Sequence, residues 1–296
     1  MEYKDGFYYN MPEDVYRALP FANYSAVKSL CLGATPAHYV ATHAGLDKDS
    51  DSKEFGRIVH QAILTPHEFE NVERLPDNIR QRRGKEWQDL QSAYPEKKFL
   101  PPAEYVKFEE SKAIAEQVRA SILNHPVVGN FFNGGERYEV VAIWTDKESG
   151  VRCKGRIDIL GSEFSYIADL KTTSHYVPYR IARSGYFWGY HVQSAMYTDA
   201  VCTIQGLDFD EPPPLWFIFV ESNPPHLVLP ANGHDAMDER TGEIMSKGYL
   251  EEGRTQYKQA LKIIADCQNK NEWDGHPFDP VEMVIPKSAG YEAIFI

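Results

Sequence analysis

The sequence lacks any apolar run approaching the roughly 18 residues that a membrane-crossing helix requires. Its opening, Met-Glu-Tyr-Lys-Asp-Gly, has neither a basic leader nor an apolar core, so no export signal is expected there, and the expected setting is cytoplasmic, away from membranes. Cysteine is scarce. Cys31, Cys153, Cys202 and Cys267 lie far apart and none forms a C-x-x-C pair. That spacing argues against a zinc ribbon or a cysteine-ligated iron–sulfur cluster and suits reduced thiols. Positive charge is in deficit too, with a formal net charge of −12. The deficit weighs against a nucleic-acid partner without excluding one, because phosphate binding needs only a local basic surface. No internal repeat or low-complexity segment interrupts the chain.

What is present reads as one α/β domain spanning residues 1–296. Residues 1–130 form a mainly helical portion, 131–230 a sheet core and 231–296 a helix and tail. In the first portion Ser25 is expected to cap a helix carrying Val27 and Leu30, and Pro36 to open another after Thr35. Gly56 to Leu64 reads as a helix and 78–87 as a polar, arginine-rich mobile loop. From about 102 to 124 the apolar positions Val106, Ile114, Val118 and Ile122 recur at helical spacing. Tyr138–Thr145 and Val151–Leu160 read as strands of a hairpin, and Ser165–Lys171 as a third strand. A helix over 186–204, a buried strand over 215–220 and a long helix over 235–268 complete a mixed sheet flanked by helices.

Asp169-Leu-Lys171 is the most suggestive tripeptide. On a strand, residues i and i+2 share a face, so Asp169 and Lys171 should stand together with Leu170 turned to the core. A carboxylate that binds metal beside an ammonium that orients water suits phosphodiester hydrolysis. The pattern alone says little, since acid-x-Lys recurs from Glu2, Asp51, Glu96 and Glu110. Context separates it: the preceding hairpin carries two further acids, Glu139 and Asp158, inside apolar runs. Three carboxylates within about 4 Å would repel by roughly 4 kcal/mol per pair at an effective dielectric near 20. A divalent cation is the simplest compensation, and hard oxygen donors favour Mg²⁺ or its substitute Mn²⁺. The alternative is that Glu139 and Asp158 face solvent on an edge strand beside Lys154 or Arg156. Two more features accompany the acids: His60, one helical turn after Gly56, and the i, i+4 pair Gln193 and Tyr197 on one helix face.

In order, Gly56-x-x-x-His60, Glu139, Gly155-Arg-Ile-Asp158, Asp169-Leu-Lys171 and Gln193-x-x-x-Tyr197 resemble the motif series of RecB-type and RecE-type nucleases of the PD-(D/E)XK superfamily. Tyr24-Ser25, Thr35-Pro-Ala-His-Tyr39 and Gly84-Lys-Glu-Trp87 add to a likeness with RecE-like prophage exonucleases, which spans about residues 20–225. The resemblance implies a restriction-endonuclease-like core. It implies that Asp158, Asp169 and the Leu170 carbonyl ligate the catalytic metal, that Glu139 and His60 complete the coordination or hold a second ion, and that Lys171 positions the attacking water. Gln193 and Tyr197 would support the site or touch the DNA backbone. It further implies 5′-to-3′ digestion of linear duplex DNA in a bacterial or phage-infected cell. The product would be a 3′ strand for an annealing protein of the RecT type, made by a ring-like homo-oligomer such as a tetramer.

Arg80, Arg82, Arg83 and Lys85 put four cations into six residues, with Trp87 close behind. Taken alone they read as a solvated loop; beside a nuclease site they read as a DNA-gripping or strand-separating element. Two rivals keep the fold but change the activity. One is an endonuclease of the same superfamily, and the other a catalytically inactive module that binds DNA ends or a protein. An unrelated metal-free α/β protein would require five motifs to fall in order by chance.

Overall fold

The computed structural model describes residues 3–45, 51–79, 81–174, 177–233, 236–237, 244–246 and 249–276. Its strands are β1 (Gly6–Tyr8), β2 (Ala22–Asn23), β3 (Val72–Arg74), β4 (Lys98–Leu100), β5 (Arg137–Thr145), β6 (Arg152–Leu160), β7 (Ile167–Thr173), β8 (Leu215–Glu221), β9 (Val228–Asn232), β10 (Ala236–Met237) and β11 (Ile244–Ser246). Its helices are α1 (Glu13–Ala18), α2 (Tyr24–Cys31), α3 (Pro36–His43), α4 (Asp51–Leu64), α5 (Pro66–Glu70), α6 (Lys85–Ala93), α7 (Pro102–Leu123), α8 (Pro178–Phe187), α9 (Tyr190–Gln205) and α10 (Tyr249–Lys270). This is a mixed α/β fold. The central sheet runs β1-β5-β6-β7-β8-β9, with β2 added beside β6. All its pairings are antiparallel except β7 with β8 and β2 with β6.

Each face of the sheet carries a core. On one side Ile157, Ile167, Phe217 and Phe219 pack with Val192, Met196 and Val201 of α9 and with Tyr257, Leu261 and Ile264 of α10. On the other, Ile159, Ala168, Leu170 and Ile218 pack with Val59 and Ile63 of α4 and Val118 and Ile122 of α7. Helix α9 is buried from His191 to Cys202, so it lacks the one-sided apolar stripe of a surface helix. Its polar Asp199 is met by the Arg254 guanidinium through three hydrogen bonds of 2.7–3.1 Å and by the Tyr257 hydroxyl, which fastens α9 to α10.

The expected strands and the helices α3, α4 and α7 lie where the sequence places them, within a few residues. Four readings need correction. The cap of α2 is Asn23, whose side-chain oxygen accepts the Ala26 N–H at 2.9 Å, not Ser25. The helix over 186–204 is two helices, because Gly189 sits in the left-handed region at φ +74° and turns the chain. Within the supposed loop, α6 starts at Lys85. The long helix over 235–268 begins only at Tyr249, and its expected first part contains the small β10–β11 pair. Among the described residues no helix is long and apolar enough to cross a membrane.

Candidate metal centre

The site forms where β6 and β7 part. They pair at Leu160↔Ile167 and Ile159↔Ala168 and no further, although continuing that register would set Asp158 opposite Asp169. Instead Asp158 Oδ2 accepts the Leu170 N–H at 2.8 Å, a side chain standing in for a strand partner. On the same edge β2 meets β6 only at Cys153 and Lys154. Between these contacts Gly155 lies under Tyr197, and a Cβ at Gly155 would come within 2.9 Å of the Tyr197 ring. Asp158 and Asp169 are buried, with 8% and 3% of their surface exposed, so the solvent-facing alternative fails for Asp158, while Glu139 is half-buried.

Glu139 stands across from Asp158, between the pairs Tyr138↔Ile159 and Val140↔Ile157. Its φ is +52°, a left-handed conformation that costs a non-glycine residue of order 1 kcal/mol or more. The hairpin changes sides at this step. Val140 and Ile157 belong to the core under α9, whereas Tyr138 and Ile159 pack with the core under α4. The strict alternation of a regular strand fails here, and the Glu139 carboxylate is brought to Asp158. Arg156 Nη1 lies 3.7 Å from Glu139 Oε2 and also holds Glu13 of α1.

His60 arrives from α4 on the other face. Its Nε2 is 2.8 Å from the Leu170 carbonyl oxygen and its Nδ1 is 3.5 Å from Asp158 Oδ2. A carbonyl only accepts, so Nε2 carries the proton in the neutral ring, and the Nδ1 lone pair then faces a carboxylate oxygen. Two acceptors so placed call for a proton or a cation between them. His60, Glu139 and Asp158 are a group whose donor atoms all lie within 4.8 Å of one another.

Asp169 sits beside this group rather than in it. Gln193 of α9 donates its amide to Asp169 Oδ2, and the Lys171 ammonium is ion-paired with Oδ1. Asp169 Oδ1 and Gln193 Oε1 are nonetheless buried without a hydrogen bond. Burial, then the charge of Asp169, pushes the Asp158 carboxyl up to about 6, against the opposing pull of His60 and Lys171. For Lys171, burial alone favours the neutral amine, but Asp169, Tyr190 and Asp158 outweigh it and hold the ammonium above the ordinary lysine range. Burial, followed by the nearby Tyr16, Asp169 and Asp158, keeps the Tyr197 phenol protonated.

The donor set fits a hard divalent cation. It offers two carboxylates and an imidazole within reach of one another, and a carboxyl that favours its proton while no cation is near. The Leu170 carbonyl, expected as a ligand, already faces His60.

The basic stretch is arranged differently. Arg82 is paired with Glu104 at 2.8 Å, and Trp87 is half-buried edge-on to Phe99 in a satellite core with Leu75 and Ile79. Arg83 and Lys85 are exposed, and Arg80 lies outside the described residues. Two site residues escaped the sequence reading. Tyr190, whose ring lies 4.9 Å from Lys171 Nζ, is three residues before Gln193 on the same helix, and that spacing could have flagged it. Arg156 stood inside the quoted Gly-Arg-Ile-Asp motif without a role.

Residues 23–277 match the family described as "PDDEXK-like domain of unknown function (DUF3799)". A solved structure described as a "Putative exonuclease" from Eubacterium rectale superposes with a TM-score of 0.51 at 14% identity, over 91% of this chain and 96% of that one. A second, SSO0001, reaches a TM-score of only 0.28 at 13% identity, over 73% and 88% of the two chains. The first likeness bears on the fold alone. No curated protein matched.

Proposed function

The chain belongs to the PDDEXK-like family DUF3799, and from that premise we propose that it is a metal-dependent deoxyribonuclease that hydrolyses linear duplex DNA from its ends. The observation that carries the proposal is the meeting of Asp158, Asp169, Glu139, His60 and Lys171 at the parting of β6 and β7. His60, Glu139 and Asp158 would hold the cation, with Asp169 beside them keeping the Lys171 ammonium in place. When bound, a divalent ion such as Mg²⁺ or Mn²⁺ supplies Lewis-acid polarisation of a phosphate oxygen and acidifies a water.

The chain's own groups account for the rest. Gln193 fixes one oxygen of Asp169 and leaves the other turned toward Lys171. Lys171, kept charged, offers N–H donors to an attacking water or to phosphate oxygens as negative charge develops. The Leu170 backbone ties the two halves together, donating to Asp158 and accepting from His60.

End-directed cleavage with 5′-to-3′ polarity, a RecT-type annealing partner and a ring-like homo-oligomer belong to the same proposal. They rest on the RecE-like motif order, and end-directed cleavage gains support from the description of the Eubacterium rectale protein as a "Putative exonuclease". The test is to offer linear and covalently closed duplex with Mg²⁺ or Mn²⁺. Degradation of the linear form alone is expected; cleavage of the circle would indicate an endonuclease, and cleavage of neither an inactive binding module.

A further inference from the structure

The strand that carries Asp169 and Lys171 leads into α8, and α8 exposes side chains that the hydrolytic site does not use. Tyr179, Phe187 and Trp188 are 70%, 62% and 60% exposed, unusual for large aromatics standing together. Tyr179, Arg183 and Phe187 follow at i, i+4 and i+8 and share one face of the helix, with Arg180 adjoining. The Arg183 guanidinium lies 5.7 Å from the Phe187 ring centre, and Lys28 Nζ lies 6.0 Å from that of Trp188. Rings interleaved with cations on one short surface are what unpaired nucleotides require: flat faces for bases and charge for the phosphates between them.

The helix is joined to the site by its opposite, buried face. Gly185 of α8 packs on Tyr190, whose ring lies over Lys171, and a Cβ at Gly185 would sit 3.1 Å from Tyr190. The backbone at Trp188 is fixed by the Tyr24 hydroxyl, which donates to the Trp188 carbonyl at 2.9 Å. The Trp188 and Phe187 side chains stay outside that anchorage.

We propose that the exposed face of α8, the helix whose inner side packs on Tyr190, is a stacking platform for single-stranded DNA. The proposal rests on the nuclease reading for its biological sense but is tested apart from it. A fluorescein-labelled oligothymidine and an abasic strand of equal length are titrated with the protein in chelator, by anisotropy. Wild type is expected to prefer the strand with bases. Phe187→Ala and Trp188→Ala should each weaken oligothymidine binding on the order of 5- to 150-fold, the range for losing one stacked base, and leave abasic binding unchanged. Arg183→Gln should weaken both strands.

Equal wild-type affinity for the two strands would overturn the platform without invoking any variant, as would alanine variants that bind like wild type. Sedimentation of the same variants covers the competing occupant: loss of self-association with unchanged oligothymidine affinity would make the face a contact between copies. Cleavage of linear duplex by wild type with Mn²⁺ is scored separately. Its failure speaks against the nuclease, whereas lost base preference with intact cleavage speaks only against α8.

Discussion

His60 and Asp158 face each other at 3.5 Å, Nδ1 to Oδ2, while the opposite ring nitrogen is taken by the Leu170 carbonyl. The imidazole therefore reads both the carboxylate and the backbone of the neighbouring strand. An occupied centre and an empty one should differ at this contact first, since a cation and a proton compete for the same lone pairs.

Removing one charge at a time should separate binding from catalysis. Asp158→Asn is expected to abolish both Mn²⁺ binding, measured by calorimetry, and cleavage of linear duplex. Lys171→Ala should retain Mn²⁺ affinity within a few-fold and lose cleavage by on the order of a hundredfold or more, as for removal of one transition-state donor. Weakened Mn²⁺ binding in the lysine variant would contradict the division of roles.

Metal affinity should depend on pH through Asp158. The folded apo carboxyl is pushed up to about 6 by burial and by Asp169, so a proton occupies it below that pH and must leave when the cation enters. Affinity for Mn²⁺ is expected to rise about tenfold per pH unit from pH 4.5 to near 6 and then to flatten. A profile flat across that interval would show that Asp158 releases no proton on binding.

Glu139 is held at φ +52° beside another acid, a conformation glycine adopts freely. Glu139→Gly should raise metal-free stability by about 1 kcal/mol in urea unfolding, through relief of backbone strain and of repulsion. The same change should weaken Mn²⁺ binding, the exchange of stability for function seen at strained sites. Glu139→Gln supplies the control that keeps the strain and removes the charge. A destabilised glycine variant would mean that the positive φ is compensated by contacts of the carboxylate.

The clasp between α9 and α10 should matter for folding more than for chemistry. Arg254→Met leaves Asp199, 2% exposed, with the Tyr257 hydroxyl but no cation. Stripping one partner from a buried pair costs about 3 kcal/mol. Thermal unfolding should fall accordingly, with cleavage per folded molecule little changed.

Much of the centre was legible because its chemistry is carried by polar residues in apolar surroundings: Asp158 and Asp169 stand out from runs that otherwise read as buried strand. The parting of β6 from β7 was not legible, since nothing in the letters marks where a ladder stops. Nor was the left-handed turn at Glu139, a residue type that rarely adopts it. The division of α8 from α9 was overlooked at Gly189, although a glycine inside a helical pattern is a recognisable break. The α10 boundary was misjudged because residues 235–248 offered polar periodicity without a capping signal. Strands β2 and β9 were missed for opposite reasons, one being two residues long and the other containing Pro230, which demotes a strand on propensity grounds.

The buried Lys154 ammonium gives its hydrogen bonds to the carbonyls of Tyr16, Arg17 and Leu19, and the bond to Leu19 spans 135 positions of chain. Contacts that distant in sequence close slowly, because the intervening loop must first be gathered. The strand bearing Asp158 is thus completed on one edge by a stretch of polypeptide more than a hundred positions earlier, which must wait for residues made later. The candidate centre is therefore complete only when both ends of that long loop are in place, and a half-made chain lacks it.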